Sequence, residues 1–294
     1  MHYVITGGAG NISKPLALSL LQAGHTVTVI GRKESNLAEL ISAGAKAAIG
    51  SVEDVAFLTK TFTGADAVYT MVPPIHQVAD WKGYIGSIGE NYAAAIAASG
   101  VKYVVNLSSI GAHLPDGVGP VSGLYRVEQA LNTLTGVNIK HLRPSYFYTN
   151  LFANIGMIKG MGMIGANFGT NTFPIVSPDD IAAVAAEHLL SLDFTGQSIQ
   201  YIASDEITTD KLASVLGAAI GKPDLKWIVF TDEQALSGML QAGLPEEIAK
   251  NYVEMNHSIQ AGLMFEDYYK HPTPVTGKVK LEDFAEVFAA AYKA

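Results

Sequence analysis

The chain has 294 residues, 49% of them hydrophobic and 16% charged, with a formal net charge of −8 and no cysteine. That balance excludes a disordered chain, disulfides, thiolate metal sites and cysteine nucleophiles, and without a lysine or arginine run it argues against direct contact with nucleic acid. No apolar run is long enough to span a bilayer and the first strand starts at once, so a cytoplasmic protein with no membrane association is expected.

Tyr3-Val4-Ile5 reads as a short buried strand, followed by a turn holding Gly7, Gly8 and Gly10. A helix is expected from about Asn11 to Ala23, ended by Gly24. Thr26–Ile30 is a second strand with Gly31-Arg32-Lys33 at its tip. A helix over 35–43, a strand over 45–49 and a helix over 53–62 follow. Ala67–Val72 is a fourth strand, stopped by Pro73-Pro74. A helix over 84–99 leads to a strand over 101–107, which ends in Ser108-Ser109. Residues 110–123 read as a long loop, followed by a helix over 124–135 and a strand over 137–142. Gly156–Asn171 is rich in Gly and Met with little periodicity. Pro178-Asp179-Asp180 opens a helix reaching Leu192, since proline and acids suit a first helical turn. A strand over 198–202 comes next. Helices over 209–220, 232–241, 246–261 and 281–292 follow, with a strand over 226–230 among them. Repeated β-α units imply an α/β, doubly wound parallel Rossmann sheet with a smaller, mostly helical second lobe. The division is expected near residues 1–154 and 155–294, partly interleaved.

A strand, a glycine turn and a helix N-terminus in that order make a pyrophosphate cradle. Gly7, Ala9, Gly10, Asn11 and Ile12 are its candidate residues. Ser13 stands where a third glycine would let helix and strand pack closely. In an NAD-selective site an acid at the second strand tip binds the ribose 2′-hydroxyl. Here Arg32 and Lys33 occupy that tip, and a guanidinium pairs with a 2′-phosphate, so NADP(H) is favoured over NAD(H). Ser51 at the third strand tip is placed near the adenine, and Asp54 is expected to cap the next helix. Met71, Val72, Pro73, Leu107 and Ser108 complete the candidate cofactor residues, because ligands bind at the C-terminal ends of such strands.

The proton donor is less defined. Tyr125 lies on the helix after the long loop, where tyrosine-dependent reductases carry a lysine four residues on. Gln129 stands there and cannot supply that charge. His113 in the long loop and Tyr146 after Arg143-Pro144 are the other candidate acids. A quinone-like acceptor could also take its proton from water. The eight histidines show no metal spacing, and no metal is expected.

With these residues in hand, the chain resembles the NmrA-like group of atypical short-chain dehydrogenase/reductase proteins. The resemblance rests on Thr6–Ser13, on Val104–Ala112, on Glu128 before Leu131, on Leu142–Phe147 with Asn150, and on Asp179-Asp180-Ile181-Ala182. It implies a Rossmann lobe with a small helical lobe, binding NAD(P). It implies either an NADPH-dependent reductase of quinones and similar small molecules, or a non-catalytic NADP(H) sensor that regulates a protein partner. Ser13 and Gln129 depart from the pattern of classical members. Gly156–Gly169 is expected to cover an apolar pocket, since methionine adapts to varied shapes. The substrate and the oligomeric state are not encoded in these motifs.

Overall fold

The computed structural model describes residues 1–75, 77–271 and 275–294. In chain order the elements are β1 (His2–Ile5), α1 (Ser13–Gln22), β2 (Thr26–Gly31), α2 (Ala38–Ser42), β3 (Lys46–Ile49), α3 (Val55–Phe62), β4 (Ala67–Thr70), α4 (Trp81–Ser99) and β5 (Tyr103–Leu107). They continue with α5 (Val121–Asn132), β6 (Asn138–Pro144), β7 (Tyr146–Phe147), α6 (Ile155–Met161), β8 (Ile164–Ala166), β9 (Phe173–Val176), α7 (Pro178–Ser191) and β10 (Gln197–Ile202). The last are β11 (Asp205–Ile207), α8 (Thr209–Ala219), β12 (Trp227–Val229), α9 (Asp232–Gln241), α10 (Glu246–Gln260), α11 (Glu266–Lys270) and α12 (Leu281–Lys293).

Seven strands form one parallel sheet in the order β10-β6-β5-β4-β1-β2-β3. The chain runs outward from β1 to β3, then crosses back to β4 and runs the other way. The crevice between β1 and β4 is therefore the switch point where such sheets bind ligands. Alternation along the strands builds a core on each face. Tyr3, Ile5, Val27, Val29 and Tyr69 pack with Leu16 and Leu20 of α1 and with Leu189 of α7. Val4, Ile30, Val68 and Val104 pack with Phe62, Ile88, Tyr92 and Val127 of α3, α4 and α5. A third core, holding Tyr148, Phe284, Phe288, Leu212 and Trp227, is drawn mostly from the second half of the chain, with Ile110, Ala112, Val118 and Val121 joining it from the first.

The expected Rossmann sheet is present, and the differences lie at its edges. β4 stops at Thr70, so Met71–Pro74 crosses the sheet edge as irregular chain instead of extending the strand. α5 begins at Val121, which shortens the expected loop. Residues 156–171 hold α6 from its second residue, ended by Gly162 in the left-handed region, and β8, paired in parallel with β12. A three-residue strand shows no alternation long enough to read from sequence. The same holds for β7 and β11, which flank β9 in a small separate sheet.

The Asp180 of the Asp-Asp-Ile-Ala motif has a structural task. Its carboxylate is 7% exposed and accepts from Ser204 Oγ at 2.6 Å and from the backbone N–H groups of Lys278 and Val279 at 3.0 and 3.1 Å. It thus ties α7 to the segment that enters α12. Asp180→Ala strands these buried donors and is expected to destabilise the protein by about 3 kcal/mol, read as a lower denaturation midpoint in urea.

Candidate active site

The turn after β1 is shaped by what glycine permits. Gly7 has φ +85° and Gly8 φ +54°. A Cβ on Gly7 would lie 2.6 Å from Ser13 Oγ and 2.8 Å from Met71 Sδ, so a side chain there would displace both as well as strain the positive φ. Gly10 N–H donates to Gly7 O at 3.1 Å and closes the turn. Ser13 is buried and its hydroxyl occupies the space beside Gly7. α1 has no side-chain cap at Ile12; Lys14 N–H is taken by Gly10 O and Pro15 has none, so among the described residues the N–H groups of Asn11, Ile12 and Ser13 are those left for an external anion. Thr6 Oγ1 accepts from Met71 N–H at 2.9 Å and ties the ends of β1 and β4 together. These features fit a dinucleotide pyrophosphate: the backbone can be approached closely because position 7 lacks a Cβ, and the helix end is free to receive charge.

Beside this turn lies a cavity of about 560 Å³. Among the expected residues, Gly10, Asn11, Ile12, Met71, Val72, Leu107, Ser108 and Tyr146 line it together. Gly7 and Ala9 belong to the turn, and Pro73 lies between the lining residues Val72 and Pro74. Arg32 and Lys33 stand exposed just past β2, outside the cavity, and Arg32 makes no ion pair with another described residue. Ser51 Oγ accepts from Glu53 N–H at 3.2 Å, and Asp54 caps α3 by accepting from Phe57 N–H at 3.0 Å.

Two candidate acids stand elsewhere. His113 does not line the cavity. Its neighbours are Asp267, Arg143 and Glu266; burial pushes its pKa below the ordinary histidine value, and neither ring nitrogen has a hydrogen-bond partner among the described residues. Tyr125 is not among the lining residues: α5 presents Val121 and Leu124 to the cavity. Gln129, four residues on, is exposed. Tyr146 does line the cavity, held edge-on to Phe173 and near Phe168. Burial, with Tyr252 adding to it, raises its pKa, so the phenol stays protonated.

The expected cover, Gly156–Gly169, contributes no lining residue; its Phe168 stands behind Tyr146. The wall is built instead by Tyr252, Met255 and Ile259 of α10 and by Met264 and Phe265 in the turn that follows. Spacing of three and four along α10 carries this face, a signal that was present in the sequence. Trp81 at the start of α4 packs edge-on to Tyr252, with ring centroids 5.3 Å apart. Gly111 makes room for Met264, whose sulfur would collide with any Cβ there.

Below Ser108 runs a buried polar network. Ser108 Oγ donates to Glu128 Oε1 at 2.5 Å. Arg143 grips the same carboxylate with both ends of its fork, Nε to Oε1 at 3.0 Å and Nη2 to Oε2 at 2.7 Å. Arg143 Nη1 also donates to Tyr201 Oη at 3.0 Å and to Asp267 Oδ2 at 3.2 Å, and Tyr201 donates to the same Asp267 oxygen. Burial works against the Arg143 charge, but the hydrogen bonds and charge of Glu128 outweigh it and hold its pKa above the arginine range. For Asp267, burial raises the carboxyl pKa. The Tyr201 hydrogen bond and the positive fields of His113, His271 and Arg143 win, and the pKa falls below the usual value.

Asp267 sits on α11, directly after Met264 and Phe265, so its ion pair seats the cavity wall on β6. A carboxyl with a depressed folded pKa stabilises above its unfolded pKa, and the gain is lost as pH falls through the folded value. Asp267→Asn is expected to melt a few degrees below the parent at pH 7. The gap should close as pH falls below about 4, followed by thermal melts from pH 7 to 2.5.

Comparison with known proteins places these features. Residues 7–190 match the model of a family described as NAD(P)H-binding. The chain is 26% identical over 220 residues to a (4-alkanoyl-5-oxo-2,5-dihydrofuran-3-yl)methyl phosphate reductase of Streptomyces griseus, covering 75% of this chain and 74% of that one. It is 24% identical over 246 residues to an NAD(P)H azoreductase of Xenophilus azovorans, covering 84% and 83%. Its fold is shared by an NADPH-dependent quinone oxidoreductase of Escherichia coli solved with NADPH, at a TM-score of 0.82 and 19% identity over 97% of this chain and 99% of that one. The match starts at Gly7, on the glycine turn after β1, and spans more than half of the sequence: the chain belongs to the NAD(P)H-binding family.

Proposed function

We infer that the protein is an NADPH-dependent reductase of a small, uncharged, apolar acceptor of the quinone kind. One observation carries this reading. The cavity that begins at Gly10–Ser13 runs on to Trp81, Tyr252, Met255 and Met264, and among the described residues no aspartate, glutamate, lysine, arginine or histidine lines it. A charged substrate would lose its hydration there without a partner. An aromatic acceptor would be held by aromatic and methionine side chains. The relatives named as azoreductase and quinone oxidoreductase support the same substrate character.

Gly7–Ile12 would hold the pyrophosphate, Arg32 with Lys33 the 2′-phosphate, and Met71, Val72, Leu107 and Ser108 the nicotinamide half. The bound nicotinamide supplies two electrons and one hydrogen to the acceptor. The protein's own part is positioning and exclusion of water: the α10 wall and Phe265 enclose the acceptor, and Tyr146 presents a neutral phenol. With His113 outside the cavity and no lysine at position 129, the second proton comes from Tyr146 or from water at the mouth.

Purified protein should oxidise NADPH when menadione or another naphthoquinone is added, at a rate well above the buffer control. NADPH binding without turnover on a panel of quinones and azo dyes would reject the enzyme and favour the non-catalytic sensor. Arg32→Ala should weaken NADPH binding by about ten- to a hundredfold, the value of a charge-assisted phosphate contact, and leave NADH nearly unchanged. Equal loss for both, by titration calorimetry, would remove the 2′-phosphate assignment.

A further inference from the structure

We propose that Glu128 and Arg143 are positioning residues that fix the polarity of Ser108, making it a hydrogen-bond acceptor toward the cavity and never a donor. The argument is one of hydrogen counting. Glu128 is 2% exposed, and both its oxygens take N–H groups from the Arg143 fork. Such a pair exists as carboxylate and guanidinium, and a carboxylate has no hydrogen to give. The 2.5 Å contact between Ser108 Oγ and Glu128 Oε1 therefore uses the serine hydrogen. The guanidinium cannot turn aside to release it. Its remaining donors are held by Tyr201, Asp267 and the carbonyl of Ala112. Ser108 itself is anchored by its N–H on Leu142 O at 2.8 Å. Only the oxygen lone pairs of Ser108 are left for whatever fills the cavity.

The inference rests on the proposed reading of the cavity as a ligand site and sharpens it. A quinone carbonyl gains nothing from Ser108, since both are acceptors. A ligand carrying O–H or N–H gains a hydrogen bond. Two sources can present such a group: the hydroxyl of a reduced acceptor, or the carboxamide of the nicotinamide.

Paired ligands separate these sources. In the first arm, NADP⁺-loaded protein is titrated with 2-naphthol and with 2-methoxynaphthalene, which differ in one hydrogen donor. In the second, the free protein is titrated with NADP⁺ and with its 3-acetylpyridine analogue, which lacks the amide N–H. The wild type is expected to prefer the donor-bearing member of one pair by about tenfold, the worth of one good hydrogen bond. Ser108→Ala should bring that ratio to about one. Glu128→Gln should do the same or invert it, because the amide N–H then donates to Ser108 and turns the serine hydrogen toward the cavity. A role of Glu128 in stability alone would lower both affinities and leave the ratio unchanged. Should Glu128→Gln fail to fold, Ser108→Ala, which leaves the ion pair intact, decides the matter. Ratios of one in both arms of the wild type, or ratios that survive Ser108→Ala, overturn the proposal while the apolar-acceptor reading stands. Failure of both naphthalenes to bind, with normal NADP⁺ affinity, would reject the apolar-acceptor reading itself. The second arm would still decide the polarity of Ser108.

Discussion

The ion pair between Arg143 and Glu128 is the interaction on which the site depends. Two buried charges cost several kcal/mol each to desolvate, and only complete hydrogen bonding offsets this. Every partner is supplied by a different part of the fold. Glu128 comes from α5, Arg143 from β6, Tyr201 from β10 and Asp267 from α11. Removing one member leaves a stranded charge, so these elements keep one mutual arrangement. The pair therefore connects Ser108 on the cavity floor to the turn bearing Met264 and Phe265 on its wall.

Around that fixed centre the site divides its chemistry. The β1 and α1 end is polar through its backbone: the Gly7–Gly10 turn and the uncapped helix start offer N–H groups with no side chain in the way. The far end is apolar through its side chains, from Trp81, Tyr252, Met255 and Met264. Charged groups are present close by, but Glu128, Arg143 and Asp267 spend their charges on each other. This arrangement suits a ligand with a phosphate-rich half and a flat uncharged half next to it.

The parts legible in the sequence were those whose meaning is local. The Gly7 turn needs positive φ, a property of one residue. Asp54 caps α3 three residues before its hydrogen-bond donor. The β-α alternation repeats over many residues and survives errors at element ends. Harder to read were groups whose role depends on distant partners. Nothing near His113 reveals that its loop carries it toward Asp267, and nothing near Tyr125 reveals that Leu124 takes the cavity-facing position. Gly156–Gly169 looked like a cover by composition, whereas α10 took that place through a face of Tyr252, Met255 and Ile259.

By itself the sequence determined the doubly wound sheet, the glycine turn after β1 and the cationic tip at Arg32. Hydrophobic alternation and backbone freedom act over a few residues, so they are written where they operate. Only the tertiary structure decided what Glu128, Arg143 and Asp180 do. It joined Glu128 and Arg143 to Ser108 and Asp267, and set Asp180 against Ser204 and the backbone of 278–279. The physical reason is that a charge acquires its task from the groups that face it, and here those groups lie as far as 124 residues away along the chain.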